Sequence, residues 1–203
     1  MGATIVSQKS LSLIPLTKKV KGGQVTMPVS KTWIGEKLNE IPDNPNALAE
    51  LYAAMKQPMY AVAYRMVLSR EDAEDVVQES FVSLMHIREA GRIKNGSAYL
   101  FQIVRNEALR RLRLRDRETA CENPEVYIRY SGRGGWNDVD RAMATLSAED
   151  RQIVAMHAEA GLTYSEIAKV TGSSTATVFR QYRKALRKLQ QFFNVSSREE
   201  RDE

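Results

Sequence analysis

The sequence has almost none of the residues that form covalent or metal cross-links. It contains one cysteine, Cys121, and two histidines, His86 and His157, that are far apart in the chain. A single cysteine excludes a disulfide within the chain, and these three residues are too few and too scattered for a zinc site. We therefore expect no metal, no other cofactor, and a fold that is held together by packing.

Long apolar runs are also lacking. No stretch approaches the roughly 20 residues that a helix needs to cross a bilayer, and residues 11–16 are too short for a signal core and are interrupted by Pro15. This predicts no integral membrane segment and a cytoplasmic location. The charged fraction of 27% and the net charge of +5 are ordinary. A mild positive charge suits a nucleic-acid partner, but many proteins without one share it.

The chain shows no alternation of strand and helix patterns and no glycine-rich phosphate loop. Helical periodicity instead fills two blocks, which predicts an all-α protein with two small helical domains joined by a flexible linker. The expected divisions are a partly disordered N-terminal extension (1–45), a first domain (46–118), a linker (119–137), a helix-turn-helix domain (138–193) and a charged tail (194–203). Glycines and prolines concentrate in the extension and in the linker.

The second block contains a helix-turn-helix pattern. Thr163 and Glu166 have the spacing of a capping box, Gly172 suits a tight turn, and Ser174 or Thr175 can cap the next helix. On that helix, the inward positions are predicted to be Val178, Tyr182, Ala185 and Leu189. The opposite face is basic, and no acidic residue occurs from Ile167 to Arg198. This pattern favours a helix that enters the DNA major groove. An amphipathic hairpin with a solvated basic face is the simpler alternative.

In the first block, three helices are predicted. Asn46 is expected to cap the first, Pro58 to kink or restart it, and Ser69 to cap the second, which would end near Ile87. The buried stripe of the second helix is predicted to be Val76, Val77, Phe81, Leu84 and Met85. Its acidic residues Asp72, Asp75 and Glu79 share one face. That face is either a solvated surface or a docking surface for a basic partner.

The third helix, from about Ala98, is rich in arginine. Its six arginines exceed what the helix dipole explains, and they are Arg105, Arg110, Arg111, Arg113, Arg115 and Arg117. An enzyme is not expected. The acidic cluster would need metal ligands on a facing helix, but the candidate partners, Glu50 and Glu107, are isolated in the sequence.

Two segments together resemble a known family. Asp72-Ala-Glu-Asp-Val-Val-Gln-Glu-Ser-Phe81 and Ala98-Tyr-Leu-Phe-Gln-Ile-Val-Arg-Asn106 resemble region 2 of bacterial extracytoplasmic-function (ECF) sigma factors. The segment from Leu146 to Leu189, with its Leu-Thr-Tyr-Ser-Glu-Ile-Ala motif, resembles region 4. The resemblance covers about residues 46–117 and 138–192, and a short linker replaces the middle region, as in that family.

The resemblance implies that the chain is an RNA polymerase sigma factor, with core RNA polymerase (its beta-prime clamp and beta flap), promoter DNA, and an anti-sigma factor or other regulator as partners. The implied core-binding residues are Asp72, Asp75, Gln78 and Glu79. The implied residues for the −10 promoter element are Arg92, Lys94, Asn95, Tyr99, Arg105 and Asn106. Those for the −35 element are Ser174, Thr175, Thr177, Arg180, Arg183 and Lys184.

Several positions depart from the family pattern. Tyr99 stands where tryptophan is common, Ala176 where glycine is common, and Gln181 and Lys184 where arginine is frequent. Within residues 1–45, a short helix around Trp33 to Glu40, with Trp33 docked on the body, and a basic regulatory arm are equally compatible with the sequence. The role of this extension stays open between a disordered arm, an anti-sigma contact and a membrane-proximal regulator. The alternative function is a free-standing helix-turn-helix regulator that acts without polymerase.

Overall fold

The computed structural model describes residues 29–87, 93–121 and 138–202, without the side chains of 118–121 and 195–202. Eight helices and no strand occur in these ranges, which confirms the all-α prediction. The helices are α1 (Lys31–Glu40), α2 (Pro45–Val67), α3 (Arg70–Met85), α4 (Gly96–Cys121), α5 (Asp138–Ala144), α6 (Ala148–Ala158), α7 (Tyr164–Thr171) and α8 (Thr175–Asp202). No helix in the described part is long and apolar enough to span a membrane.

Helix α2 begins two residues earlier than predicted. Its cap is Asn44, whose side chain accepts a hydrogen bond from the backbone N–H of Asn46. Pro45 occupies the first turn, where its missing N–H costs nothing because that group has no partner within the helix. The prediction that Asn46 is the cap is therefore wrong. Pro58 lies inside α2, and the helix continues through it to Val67.

Helix α3 is capped by Ser69 as predicted, through a hydrogen bond from the N–H of Asp72. Val76, Val77, Phe81 and Leu84 are buried, but Met85 is 60% exposed, so its assignment to the buried stripe is wrong. Met85 follows Leu84 at the end of the helix, and the 100° turn between them moves its side chain off the packed face.

Helices α1 to α4 share one core. Ile34 and Leu38 of α1 are fully buried in it, together with Leu51 and Met59 of α2 and Phe101 of α4. The segment 31–40, expected to belong to a partly disordered extension, is thus an integral helix of the first domain. Its apolar pair at i and i+4 gives it one face to bury.

Helices α5 to α8 form the helix-turn-helix domain, and the two domains pack against each other. The guanidinium of Arg65 in α2 bridges Asp140 in α5, at 2.6 Å, and Glu159 just after α6, at 3.0 Å. Lys31 of α1 contacts Glu166 of α7 at 2.6 Å. Polar and charged side chains therefore line much of the junction between the domains.

Two helices extend beyond the expected domain boundaries. Helix α4 continues to Cys121, into the segment expected to be linker, and α8 continues to Asp202, through the segment expected to be a charged tail. No glycine or proline follows Ser173, so nothing in the sequence of α8 interrupts the helix. The rest of the expected linker, residues 122–137, lies outside the described residues.

Candidate protein and nucleic-acid interfaces

The outer face of α3 combines acidic and apolar side chains. Glu74, Asp75, Gln78 and Glu79 are exposed, and Val82 and Met85 next to them are 46% and 60% exposed. The opposite side of the helix is anchored by buried residues, from Ala73 to Leu84. We call the exposed set the α3 surface. It presents negative charge beside apolar area, a combination that suits a protein partner with basic and apolar side chains.

Asp72 is not part of the α3 surface. Its carboxylate accepts a hydrogen bond from Arg111 Nε at 2.6 Å and lies 3.5 Å from Arg115 Nη1, and its side chain is 14% exposed. Arg111 also lies 3.0 Å from Asp75. Two of the arginines of α4 therefore bind α3 within the domain. Asp72, predicted to bind a partner, helps to join two helices within the domain.

Other arginines of α4 are also engaged. Arg105 Nε donates to Gln152 Oε1 of the helix-turn-helix domain at 2.6 Å, and burial lowers the pKa of Arg105. Arg110 donates to Glu107 one turn earlier at 2.7 Å. Arg113 and Arg117 are exposed. The excess of arginine thus has a partly structural explanation that sequence spacing did not reveal.

The structure describes the loop before α4 from residue 93 onward. Lys94 is exposed, whereas Asn95 caps α4, with its Oδ1 accepting a hydrogen bond from the N–H of Ala98 at 3.0 Å. Tyr99 is half-buried against the core, and Asn106 is exposed. Arg92, the first residue predicted for this surface, lies outside the described residues. Of the described residues predicted to contact the −10 element, Lys94 and Asn106 are therefore exposed, and Asn95, Tyr99 and Arg105 are half-buried.

The turn of the helix-turn-helix has the predicted local structure. The N–H of Thr163 donates to Glu166 Oε2 at 2.8 Å and the N–H of Glu166 donates to Thr163 Oγ1 at 3.3 Å, which completes the capping box. Gly172 has φ 69°, a left-handed conformation that glycine adopts without strain. Ser174 Oγ accepts from the N–H of Thr177 at 3.1 Å. Ser174, one of the two candidates, is thus the cap that orients α8.

Helix α8 presents a basic face to solvent. Arg180, Arg183, Lys184 and Arg187 are exposed, while Val178, Tyr182, Ala185 and Leu189 are buried as predicted. Burial raises the pKa of Tyr182 to about 12, so its hydroxyl is neutral. Ser174 and Thr175 are exposed at the start of the helix and Thr177 is half-buried. This face has the charge and the exposure that phosphate and base contacts require.

Phe179 is a residue that the sequence reasoning missed. It lies on α8 and is 43% exposed. Its ring lies 5.5 Å from that of Tyr164 and 5.8 Å from the guanidinium carbon of Arg183. An aromatic residue between buried Val178 and exposed Arg180 could have been noticed as an apolar side chain at the edge of the basic face. Its contact with Arg183 restrains one of the predicted DNA-binding side chains.

Glu166 couples the capping box to the first domain. Burial alone would raise the pKa of its carboxyl, but hydrogen bonds from Lys31 and Thr163 outweigh that effect and lower the pKa. The carboxylate therefore stays charged and accepts from Thr163 in its own capping box and from Lys31, which lies 135 residues before Glu166 in the chain.

Two family descriptions match the chain. Sigma-70 region 2 matches residues 51–118 and Sigma-70 region 4 matches residues 136–189, and together they cover more than half of the chain. The chain belongs to the ECF type of the sigma-70 family. This places α3 and most of α4 in region 2, and the helix-turn-helix in region 4.

Solved structures support the fold of this sigma factor. It is similar to the sigma factor RpoE from Bartonella quintana, in a structure with the anti-sigma factor NepR, at 23% identity and a TM-score of 0.60, over 74% of this chain and 98% of that one. It is also similar to CnrH in complex with the cytosolic domain of CnrY, at 20% identity and a TM-score of 0.58, over 79% of this chain and 98% of that one.

As a sigma factor, the protein binds core RNA polymerase and directs transcription initiation at promoters. Helix α1 lies outside both matched regions, although its buried residues belong to the core of the region 2 domain.

Proposed function

We propose that this sigma factor docks on core RNA polymerase through the α3 surface. The observation that carries the proposal is the mixed character of that surface, where exposed Asp75, Gln78 and Glu79 lie beside exposed Val82 and Met85. Apolar side chains that stay uncovered on a helix whose other side is buried favour a protein partner over solvent. The resemblance to the family makes that partner the beta-prime clamp, with the beta flap as the partner of region 4.

The promoter contacts are divided between the two domains in this proposal. Lys94, Asn95, Tyr99, Arg105 and Asn106 of region 2, together with Arg92, are proposed to engage the −10 element. Exposed positive charge lowers the cost of separating strands there, and a half-buried tyrosine can stack on an unpaired base. Arg105 would have to exchange Gln152 for DNA, so −10 binding by this residue requires the domains to separate.

Helix α8 is proposed to recognise the −35 element in the major groove. Arg180, Arg183 and Lys184 would supply phosphate and base contacts from its exposed face, and Ser174, Thr175 and Thr177 would supply hydroxyl groups at its N-terminus. The N-terminal end of a helix attracts phosphate because its N–H groups point outward.

We infer that the chain carries no catalytic residues of its own, since polymerase performs the nucleotide chemistry, and that it acts in the cytoplasm, where RNA polymerase is. The two similar structures contain anti-sigma factors. On that basis we propose that an anti-sigma factor or another regulator controls this protein as well.

The proposal is tested by binding of the full chain to purified core polymerase. Gln78→Arg adds a positive charge to the acidic α3 surface and Asp75→Arg reverses one of its negative charges, and each is expected to weaken core binding at least tenfold, about 1.4 kcal/mol. Gln78 is the cleaner site, because Asp75 also contacts Arg111 at 3.0 Å and its replacement removes that contact. Affinity is measured by surface plasmon resonance or by fluorescence anisotropy.

Glu36→Arg is the matched control, since Glu36 is exposed on the outer face of α1 and its change adds charge of the same sign. It should bind core polymerase as the wild type does. Wild-type affinity in the Gln78 and Asp75 variants would contradict the docking assignment. Absence of core binding by the folded wild-type chain, together with tight binding of a dimer to palindromic DNA, would favour the free-standing regulator.

A further inference from the structure

Helix α1 joins the core of region 2 at the point where the promoter-facing loop enters α4. Its residues Ile34 and Leu38 are fully buried, and it packs on both α2 and α4. The matched family region begins at residue 51, so α1 precedes it. The helix nevertheless adjoins residues 93–96, which include the exposed Lys94.

The two backbones touch directly where α1 passes the start of α4. A Cβ atom on Gly96 would lie 2.4 Å from the backbone nitrogen of Gly35 and 2.5 Å from its Cα. No side chain separates the two segments. The start of α4 therefore cannot move toward α1, and a shift of α1 would be transmitted to the loop that leads into α4.

One side chain of α1 holds the loop by both of its backbone groups. Asn39 Nδ2 donates to the carbonyl oxygen of Ile93 at 3.2 Å, and Asn39 Oδ1 accepts from the N–H of Ile93 at 3.1 Å. A pair of hydrogen bonds from one planar amide fixes both the position and the orientation of the peptide that it binds. Ile93 itself packs against the core.

The residues that follow Ile93 are positioned as a consequence. Lys94 is exposed immediately after the fixed residue, and Asn95 is anchored as the cap of α4 by the N–H of Ala98. Lys94 is thus held between two anchored neighbours. Loop residues that contact a ligand gain affinity and selectivity when the ordering of the loop is complete before binding.

We propose that Asn39 is a positioning residue for promoter recognition: its paired hydrogen bonds to Ile93 fix the loop that presents Lys94 to the −10 element. Asn39 acts through the loop and makes no contact with DNA in this scheme. The inference rests on the proposed −10 role of Lys94. It extends the promoter-recognition machinery to α1, outside the two matched regions.

The experiment uses the full chain with core polymerase and a promoter library in which the −10 and −35 windows are both randomised. Transcripts made by wild type, Asn39→Ala, Asn39→Asp and Lys94→Ala are sequenced, and the enrichment of each base is measured at every position. Asn39→Asp keeps the size and the acceptor of the side chain but loses the donor to Ile93. It therefore tests the paired hydrogen bonds to Ile93 with little change in packing.

The −35 window reports in the same molecules whether the protein is folded and bound to polymerase. We expect both Asn39 variants to lower the enrichment of the preferred −10 bases about tenfold and to leave the −35 preference within twofold of wild type. Glu36→Ala, on the outer face of the same helix, should change neither window. A purely structural role of Asn39 would lower transcript yield and leave the base preferences at both windows unchanged.

The inference is overturned if Asn39→Asp retains the wild-type −10 preference while Lys94→Ala loses it. It is also overturned if Lys94→Ala has no effect on the −10 window, since the loop that Asn39 fixes would then present no side chain that reads the −10 element. In that second case the proposed −10 assignment fails as well. A wild-type chain that enriches no promoter sequence with core polymerase would contradict the proposed function itself, so the two failures are distinguishable.

Discussion

Gly35 and Gly96 lie against each other, but a Cβ atom has room on Gly35 and none on Gly96. A Cβ on Gly96 would overlap the backbone of α1, at 2.4 Å, whereas a Cβ on Gly35 has its nearest neighbour, Gly96 N, at 3.8 Å. The first distance is never tolerated without backbone movement and the second is an ordinary contact. Adjacent glycines in a structure can therefore have opposite tolerances for the same substitution.

Gly96→Ala is expected to destabilise the region 2 domain by about 2 kcal/mol or more, because the new methyl group displaces backbone rather than a side chain. Gly35→Ala is the matched control and should be neutral or stabilising by roughly 0.5–1 kcal/mol, since alanine is the better residue inside a helix. Thermal unfolding followed by far-ultraviolet circular dichroism measures both. An equal effect of the two variants would contradict the contact geometry.

At the residue scale, the sequence predicted local interactions and missed distant ones. Thr163 and Glu166 are three residues apart, so their capping box follows from spacing alone, and the structure confirms it. The pairing of Asp72 with Arg111 joins residues 39 apart, and no periodicity indicates which of six arginines reaches α3. Asn39 gave no sequence signal either, because its two bonds go to the backbone of Ile93.

Helix α8 both packs into region 4 and carries the exposed basic face. Its 28 residues would extend about 42 Å at the standard rise of a helix. Its first turns carry the exposed basic face, and Val178 to Leu189 bury its inner side against the other helices of region 4. A helix that is fixed over several turns holds the side chains that are proposed to contact DNA at constant spacing, which a loop cannot do.

Lys184→Ala is expected to weaken binding of a −35 duplex by about 1–3 kcal/mol, because an exposed lysine on the groove-facing side can pair with guanine or phosphate. Core binding should be largely retained, since the α3 surface lies in the other domain and Lys184 lies on the exposed face of α8 that is proposed to meet DNA. Lys169→Ala is the control, because Lys169 is exposed on α7 and its loss changes the charge equally. Electrophoretic mobility shift with the polymerase complex measures the difference. Equal weakening by both variants would indicate a general charge effect.

Elements were predictable to the extent that their signals are local. Every helix that the sequence predicted exists, because apolar periodicity and caps depend on residues within one or two turns of each other. Boundaries were less predictable. Asn46 looked like a cap, but Pro45 favours the first turn and so moves the cap to Asn44. The side-chain direction of Met85 depends on where α3 ends, which its pattern alone does not specify.

The whole molecule is arranged so that region 4 lies against region 2 through charged contacts. Arg65 is central, since its guanidinium contacts Asp140 and Glu159 and the three side chains are 16%, 3% and 13% exposed. Burial raises the pKa of Glu159, and its bond to Arg65 partly offsets that rise. Loss of the arginine would leave two carboxylates in a buried junction without their shared cation.

Arg65→Ala is expected to favour separation of the two domains, because removal of one partner from a buried ion pair costs about 3–5 kcal/mol. The radius of gyration from small-angle X-ray scattering should rise in this variant. Arg70→Ala, an exposed site at the start of α3 with the same change in charge, should keep the wild-type value. Identical scattering of Arg65→Ala and wild type would show that the ion pairs do not hold the domains together.

This arrangement of domains was beyond sequence reasoning. Arg65 and Glu159 are 94 residues apart, and the sequence left the packing of the two domains open. No sequence pattern marks an arginine near the end of α2 and a glutamate after α6 as partners. The acidic part of the α3 surface, Asp75 and Glu79, follows from spacing, whereas its exposed apolar part and the contact of Arg105 with Gln152 required the tertiary structure.

The contact between Gly35 and Gly96 also bears on how such proteins could be recombined. Protein engineers exchange promoter preference by grafting a recognition loop from one relative into another. Here the graft would meet the backbone of α1 with no side chain in between to absorb a mismatch. Residues 31–40 and 93–96 therefore form a single exchangeable module, although more than fifty residues separate them in the chain, and a chimera should inherit both segments from the same parent.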